Sequence, residues 1–213
     1  MDKYLCKQML KKSKLPLIPY AYQNKTLTEL PKPFQFPVIL KPLNQGSSIG
    51  VHLIKNEKEL YKVSKNLQQQ YHHYLLESFI TGREISVGVL DYPQYTVLPI
   101  LELKSANAFY DYEAKYTKGL STFHIPAPLS PQLEEKIKQL ALKAHQKSAC
   151  FGVSRVDFRI SEDNEPFILE LNTLPGLTET SDLPAQAAAL NMSFLDLILN
   201  LLHAAYARYE RQN

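Results

Sequence analysis

Short apolar runs alternate with amphipathic segments along the chain, and this pattern predicts a mixture of β-strands and α-helices. Helical spacing of apolar residues is found in residues 2–14, 56–70, 131–144, 184–190 and 193–210. Buried strands are predicted at 36–42, 51–54, 74–80, 83–90, 95–103, 151–160 and 166–172. Residues 15–34 predict an irregular connection with a short strand or turn, and 104–128 a long loop. Because strands and helices do not alternate strictly, the predicted fold class is α+β rather than a doubly wound sheet.

Composition narrows the class of protein. The 213 residues are 45% apolar and 21% charged, which is ordinary for a globular domain and excludes a disordered chain. No apolar run approaches the ~18 residues of a membrane-spanning helix, and the first residues lack the apolar stretch of a signal peptide. Two cysteines, Cys6 and Cys150, cannot form a disulfide framework, so we expect a cytoplasmic protein. The net charge of +3 is too small to indicate nucleic-acid binding.

Charge is distributed unevenly along the chain. Residues 1–70 contain 12 basic and 4 acidic side chains, whereas residues 71–213 contain 12 and 17. This asymmetry suits a site that holds an anion on one side and a metal ion on the other. Lysine-rich, solvated helix faces also explain it, and charge alone favours that interpretation.

Two neighbouring predicted strands carry polar residues at alternate positions. Arg155 and Asp157 share one face of their strand, as do Glu170 and Asn172 on the next, because residues two apart point the same way. Hard oxygen ligands of this kind suit Mg²⁺, and a nearby guanidinium neutralises a transferring phosphoryl group or an oxyanion. The opposite face is expected to hold Leu169, Leu171 and Phe158. A solvated strand face explains the same alternation.

A small-residue loop follows the strand that ends at Lys41. Gly46, Ser47, Ser48 and Gly50 allow backbone N–H groups to approach phosphate oxygens. The spacing is not that of a P-loop, and a plain hairpin turn is an equal alternative.

Acidic residues also stand at two predicted strand ends. Glu77 and Glu84 flank a glycine-containing turn, where carboxylates are usually exposed to solvent. Such groups are also able to accept hydrogen bonds from a ribose or an amino group.

Five segments occur in the order found in one enzyme family. They are FPVILKPLNQGSSIGV, LLESFITGREISVGVL, AFYDYEAKY, SRVDF and ELNTLPGLT. Together they resemble the ATP-grasp region of D-alanine–D-alanine ligases, and the resemblance runs from Met1 to about Leu202. FYDYEAKY and NTLPGLT are specific to that group, whereas the other segments are shared more widely among ATP-grasp enzymes.

The resemblance implies a fold and a reaction. Two α+β subdomains are expected to close on ATP, with an entry helix and connection in 1–30, a central subdomain in 31–81 and a C-terminal subdomain in 82–213. The last is expected to contain the metal site and a mobile loop, 104–128. The implied reaction converts one D-alanine carboxylate into an acyl phosphate, which the amine of a second D-alanine attacks, in peptidoglycan precursor synthesis.

The resemblance also implies site residues. Expected ATP contacts are Lys3 and Lys41 on the phosphates, Glu77, Phe79 and Ile80 at the adenine hinge, Glu84 on the ribose and Lys115 on the γ-phosphate. Expected ligands of two Mg²⁺ ions, or of Mn²⁺, are Asp157, Glu170 and Asn172. Expected catalytic residues are Arg155 and Gly176 at the oxyanion, Ser47 in the small-residue loop and Tyr116 in the mobile loop. Ser181 and Asp182 are expected at the second amino acid.

Two departures from the family pattern leave alternatives open. Family members carry a further domain N-terminal to the first helix, so we expect a fragment, a separately encoded partner domain, a stand-alone ligase with another substrate, or a non-catalytic ATP-binding remnant. The family usually has an apolar residue where this chain has Asp182, and a carboxylate there is unfavourable unless it meets a cation. The expected partners are ATP and D-alanine, together with a second copy of the chain in a homodimer.

Overall fold

A computed structural model describes residues 2–105 and 121–212, and it confirms the predicted α+β class. The helices are α1 (Lys3–Lys12), α2 (Glu57–Tyr71), α3 (Pro131–Lys147), α4 (Asp182–Ala188) and α5 (Phe194–Gln212). The strands are β1 (Tyr20–Gln23), β2 (Val38–Pro42), β3 (His52–Ile54), β4 (Tyr74–Ser78), β5 (Gly82–Leu90), β6 (Thr96–Val97), β7 (Leu101–Ser105), β8 (Ser121–His124), β9 (Val153–Ser161) and β10 (Pro166–Asn172). The predicted domain boundaries remain a prediction.

Polar side chains cap the helices where the sequence pattern places their first turns. The side chain of Asn56 accepts a hydrogen bond from the N–H of Glu59, at 3.0 Å, at the start of α2. Ser130 does the same for Leu133 at the start of α3, where Pro131 occupies the first turn. Each cap satisfies a backbone donor that has no partner within the helix.

The strands form two antiparallel sheets, and each sheet has its own hydrophobic core. The first sheet has the order β1-β4-β2-β3, and α2 packs on it through residues such as Leu60 and Leu67. The second has the order β10-β9-β5-β7-β8, with β6 paired to β5. Helices α1 and α3 share the core of the second sheet, to which they contribute Leu10 and Ile137.

The segment 104–128, predicted as a loop throughout, contains a strand. Residues Ser121–His124 form β8, which pairs antiparallel with β7 at the edge of the second sheet. Its polar sequence suits an edge strand, which packs one face only, so the hydrophobic pattern did not reveal it. Residues 106–120 lie outside the described residues. Within the described ranges, none of the helices has the length and apolar character needed to span a bilayer.

A buried carboxylate connects α1 to the first sheet. Glu77, on β4, is only 2% exposed, which corrects the interpretation of it as a solvent-exposed strand end. Its Oε1 lies 3.0 Å from the ammonium of Lys7 on α1, and its Oε2 lies 2.8 Å from that of Lys41 on β2. Burial alone would raise the pKa of Glu77, but the two lysines outweigh it and lower the pKa. Glu77 is therefore an ionised carboxylate shared by two cations.

Burial also affects the pKa of a histidine on the helix that packs against the second sheet. His145 on α3 is fully buried, its Nδ1 lies 2.8 Å from the hydroxyl of Ser154, and its Nε2 lies 3.5 Å from Oδ2 of Asp91. Burial lowers the pKa of His145, although Asp91 acts in the opposite direction. The folded protein therefore favours the neutral imidazole.

We expect stability to fall on mild acidification because of His145. Its folded pKa lies below its ordinary value of about 6.5, so the unfolded chain takes up this proton first. Above pH ~6.5 His145 therefore costs no stability, and the free energy of unfolding decreases as the pH falls below that value. Between pH 7.5 and 5, urea unfolding should show a smaller decrease in the free energy of unfolding for His145→Gln than for the wild-type chain. The exposed His203→Gln is the control, and an unchanged slope in His145→Gln would contradict the assignment.

The substitution Glu77→Gln tests the buried ion pairs. It leaves two buried ammonium groups without their carboxylate, and breaking a buried pair costs roughly 3–5 kcal/mol of unfolding free energy. The matched control is Glu165→Gln, because Glu165 pairs with Lys136 at 2.7 Å but both side chains are about half exposed. Such a surface pair contributes at most ~1 kcal/mol. Equal losses in the two variants, measured by urea unfolding at pH 7, would contradict the role given to Glu77.

Candidate functional site

A cleft lies where the two sheets face each other. The first sheet and the small-residue loop line one side, and β9 and β10 line the other. A cleft with converging polar side chains is the usual form of a small-molecule site. The ATP contacts predicted within the described residues all line it: Lys3, Lys41, Glu77, Phe79, Ile80 and Glu84.

The first side of the cleft carries buried cations. Lys41 is 7% exposed, and although burial opposes its charge, Glu77 and Glu170 raise its pKa. Lys3 donates a hydrogen bond to the carbonyl of Gln45, and its ammonium lies 3.9 Å from Oε2 of Glu170. Burial lowers the pKa of Lys3, against the pull of Glu170. Two ammonium groups thus face a common space, which suits a polyanion.

The loop between β2 and β3 is both a hairpin connection and a wall of the cleft. Antiparallel pairing of the two strands makes it a hairpin, and Gly46, Ser47 and Ser48 also line the cleft. Ser47 and Ser48 have positive φ angles of 51° and 61°, which is uncommon for residues other than glycine. At Gly50, with φ of +72°, a Cβ atom would lie 2.8 Å from Cγ of Pro42. The interpretation as a plain hairpin turn and the interpretation as a phosphate-approaching loop are therefore compatible.

An arginine that the sequence analysis missed organises the segment between β4 and β5. Arg159, on β9, donates a 2.9 Å hydrogen bond to the carbonyl of Ile80, and its guanidinium lies 5.7 Å from the ring centre of Phe79. Its Nη1 also lies 3.4 Å from Oε2 of Glu84. The alternation that links Arg155 to Asp157 continues to Arg159, so the signal was present in the sequence.

The predicted cluster on β9 and β10 is confirmed as a geometric arrangement. Asp157 stands opposite Glu170 in the strand register, and Arg155 stands opposite Asn172. One detail differs, because the register shifts between Ile168 and Glu170.

That shift corrects one prediction about the apolar face. It turns Leu169 toward the cleft, whereas it was predicted on the opposite face with Leu171 and Phe158. Ile168 takes the expected place in the core. A β-bulge of this kind breaks simple alternation and cannot be read from the hydrophobic pattern.

Asp157 is held by several donors. Arg155 binds it through two bonds of 2.8 Å, from Nε to Oδ1 and from Nη2 to Oδ2. Ser86 donates to Oδ1 at 2.9 Å, and the amide nitrogen of Asn172 donates to Oδ2 at 2.8 Å. Burial alone would lower the pKa of Arg155, but Asp157, Asp182 and Glu170 outweigh it and raise the pKa. The guanidinium is permanently charged and fixed in place.

The chemistry of this donor set fits a magnesium ion that also binds phosphates. Asp157, Glu170 and Asn172 offer two carboxylates and one amide oxygen, and Mg²⁺ is usually held by one or two carboxylates plus substrate oxygens. Among residues 2–105 and 121–212, His, Cys, Asp and Glu form no group of three or more that is suited to holding a metal ion alone. The residues fit an ion shared with a ligand.

A second pocket adjoins Arg155 and is lined by Gly176, Ser181 and Asp182. A Cβ atom on Gly176 would lie 2.7 Å from the hydroxyl oxygen of Ser181, so only glycine allows this close approach. The Ser181 hydroxyl accepts a hydrogen bond from the backbone N–H of Thr178 at 3.1 Å. Oδ2 of Asp182 lies 3.3 Å from Nη1 of Arg155, so this carboxylate does meet a cation.

Two predicted site residues belong to the part of the chain that is not described. Lys115 and Tyr116 fall within 106–120. The functional roles assigned to all the other site residues remain predictions, although their positions are as described above.

Similar sequences identify the family. Residues 9–203 match the family described as D-ala D-ala ligase C-terminus. A D-alanine–D-alanine ligase from Pseudothermotoga lettingae is 42% identical over 186 residues, which cover 87% of this chain and 62% of that protein. A D-alanine–D-alanine ligase from Thermotoga maritima is 42% identical over 177 residues, which cover 83% of this chain and 58% of that protein. The chain therefore spans about three fifths of the length of these relatives.

Solved structures agree with this assignment. A D-alanine–D-alanine ligase from Bacillus anthracis matches with a TM-score of 0.84 and 26% identity, covering 100% of this chain and 69% of that one. A D-Ala:D-Ser ligase from Enterococcus faecalis matches with a TM-score of 0.82 and 25% identity, covering 96% and 61%. These structures confirm the predicted ATP-grasp fold. The chain belongs to the family formed by the C-terminal region of D-alanine–D-alanine ligases.

Proposed function

We propose that the chain is the nucleotide-binding and catalytic region of an ATP-dependent ligase that joins two D-alanine molecules for peptidoglycan precursor synthesis. The observation that supports this most is the composition of the cleft. Lys3 and Lys41 face Asp157 and Glu170 across it, and Arg155 stands beside them. Phosphoryl transfer requires positioning and charge neutralisation rather than a covalent enzyme intermediate, and these residues provide both.

In this proposal the chain binds ATP along the cleft. The segment containing Phe79 and Ile80, held by Arg159, receives the adenine, and Glu84 binds the ribose. Lys3 and Lys41 bind the phosphates from the side of α1 and β2. Asp157, Glu170 and Asn172 hold Mg²⁺, which neutralises phosphate charge when it is bound.

In this proposal the two amino acids react in the neighbouring pocket, next to Arg155. A carboxylate oxygen of the first D-alanine attacks the γ-phosphorus, the bond to ADP breaks, and an acyl phosphate forms. The deprotonated amine of the second D-alanine attacks the acyl carbon, and phosphate leaves with the electron pair of the carbon–oxygen bond. Arg155 and the backbone N–H of Gly176 stabilise the oxyanion that forms between these events.

Asp182 affects which second substrate the site accepts, because it contacts Arg155 in the pocket that Ser181 lines. Pairing with Arg155 offsets part of its charge, but the carboxylate still repels that of a second D-alanine and competes with the oxyanion for the guanidinium. A second amino acid with a hydroxyl or cationic side chain would instead gain a partner. The D-Ala:D-Ser ligase from Enterococcus faecalis, which has a similar fold, takes another second substrate.

Other parts of the proposal concern the surroundings of the chain. We propose a cytoplasmic protein, in a homodimer, that works together with the domain which its relatives carry outside the matched region. Lys115 reaches the γ-phosphate, and Tyr116 closes the site beside it. A non-catalytic ATP-binding remnant is the alternative, which the first test below does not exclude and the second does.

ATP with Mg²⁺ should raise the melting temperature of the chain. A ligand at 100 times its dissociation constant adds about 2.7 kcal/mol to the unfolding free energy. Glu170→Gln should reduce this increase, because it removes a charge from the metal site, whereas the exposed Glu165→Gln should leave it unchanged. No shift at millimolar ATP and Mg²⁺ would refute nucleotide binding in the cleft.

Asp182→Leu should raise D-alanine-dependent phosphate release, roughly tenfold if the repulsion amounts to ~1.4 kcal/mol. The assay combines the chain with the portion of the Pseudothermotoga lettingae ligase that it does not match, and mass spectrometry identifies the dipeptide. Glu179→Leu, which removes an exposed carboxylate from the loop nearby, is the control. If the variant loses activity with D-alanine, Asp182 supports rather than opposes the second substrate. If neither form releases phosphate, the remnant is the better explanation.

A further inference from the structure

One buried cation lies next to the cleft without lining it. Lys7 stands one turn after Lys3 on α1, so both side chains leave the same face of the helix. The Lys7 side chain is only 3% exposed, and the residues that line the cleft include Lys3, Lys41 and Glu77 but not Lys7. An ammonium buried to this extent requires partners that compensate its charge, so the groups around Lys7 indicate its role.

The partners of Lys7 are few and act through charge. Its ammonium lies 3.0 Å from Oε1 of Glu77, but neither atom has a partner with hydrogen-bond alignment among the described residues. The ring of Tyr20 lies beneath the ammonium, 5.3 Å away at its centre. The contact with Glu77 is therefore a close ion pair, and this carboxylate is the main partner of the buried ammonium.

The charge balance around Glu77 gives that contact a consequence. One carboxylate is shared by two ammonium groups, Lys7 behind it and Lys41 beside it at 2.8 Å. Without Lys7, Glu77 and Lys41 would form a closed neutral pair. Burial lowers the pKa of Lys7, while Glu77 acts in the opposite direction. With Lys7 protonated, the three groups carry one excess positive charge next to the cleft.

We propose that Lys7 is a positioning residue of the nucleotide site: it neutralises the rear of Glu77, so that the positive charge of Lys41 remains available to the phosphates of the ligand. This inference rests on the proposed binding of ATP. Lys7 touches no ligand and acts through Glu77. Two unit charges about 10 Å apart, at an effective dielectric constant of about 20, interact strongly enough to change an affinity roughly tenfold.

The test compares ligands that differ only in phosphate. Isothermal titration calorimetry at fixed Mg²⁺ measures adenosine, AMP, ADP and ATP binding to the wild-type chain and to Lys7→Met. The variant should bind ADP and ATP about tenfold more weakly, AMP less so, and adenosine within about twofold of wild type. Lys11→Met is the matched control, because Lys11 lies one turn further along α1 and is exposed.

A conservative variant tests the charge argument itself. Lys7→Arg keeps a cation beside Oε1 of Glu77, whereas Lys7→Met removes it. Lys7→Arg should therefore retain most of the ADP affinity that Lys7→Met loses. A melting curve confirms that each variant is folded before titration.

The outcomes separate this inference from the proposed function. Equal losses for adenosine and ADP in Lys7→Met would show a merely structural role, and a loss of ADP affinity in Lys7→Arg as large as that in Lys7→Met would refute the charge mechanism. Unchanged ADP binding in Lys7→Met would overturn this inference and leave nucleotide binding intact. If the wild-type chain binds none of the four ligands, the proposed function and this inference both fail.

Discussion

The buried carboxylate of Glu77 is the constraint on which the cleft depends. Helix α1 packs its apolar side, including Leu10, in the core of the second sheet, while its Lys7 reaches Glu77 in the first sheet. The same helix is thereby attached to both walls of the cleft. Because an uncompensated buried charge is costly, this ion pair fixes where α1 stands relative to β4. Lys3, one turn before Lys7, is consequently directed into the cleft.

The charged side chains that line the cleft have ionic partners in the structure described. Lys3 lies 3.9 Å from Glu170 across the cleft, whereas Arg155 binds Asp157 on its own strand. In the proposed function, a polyphosphate with a divalent cation would present the same two signs in the same order, with anionic oxygens toward the lysines and a cation toward the carboxylates. Binding would then exchange ionic partners within a site that is already assembled, and preorganisation of this kind lowers the cost of ordering side chains.

Strand periodicity placed Asp157 and Glu170 on neighbouring strands, but the register counted from the polar turn would set Glu170 opposite Val156 rather than Asp157. The β-bulge between Ile168 and Glu170 brings the two carboxylates opposite each other. Strand periodicity also failed to predict the orientation of Leu169, because no local sequence pattern indicates the extra residue of this β-bulge. The burial of Glu77 could not be predicted for a different reason: it depends on Lys7, which is 70 residues away in sequence and meets it only after folding. Long-range ion pairs leave no periodic signal, so sequence patterns locate strands more reliably than they locate buried charges.

Arg155 is held by acidic groups on two elements, and this arrangement limits what the site can do. Its Nε and Nη2 bind Asp157 on the same strand, while its Nη1 lies near Asp182 at the start of α4. A guanidinium offers five N–H donors in a rigid plane, so binding two carboxylates uses part of that capacity but leaves other donors. In the proposed reaction, an oxyanion between the two pockets would compete with Asp182 for the same edge of the guanidinium. Because Asp182 also lines the second pocket, a single side chain would then affect both substrate selection and oxyanion stabilisation.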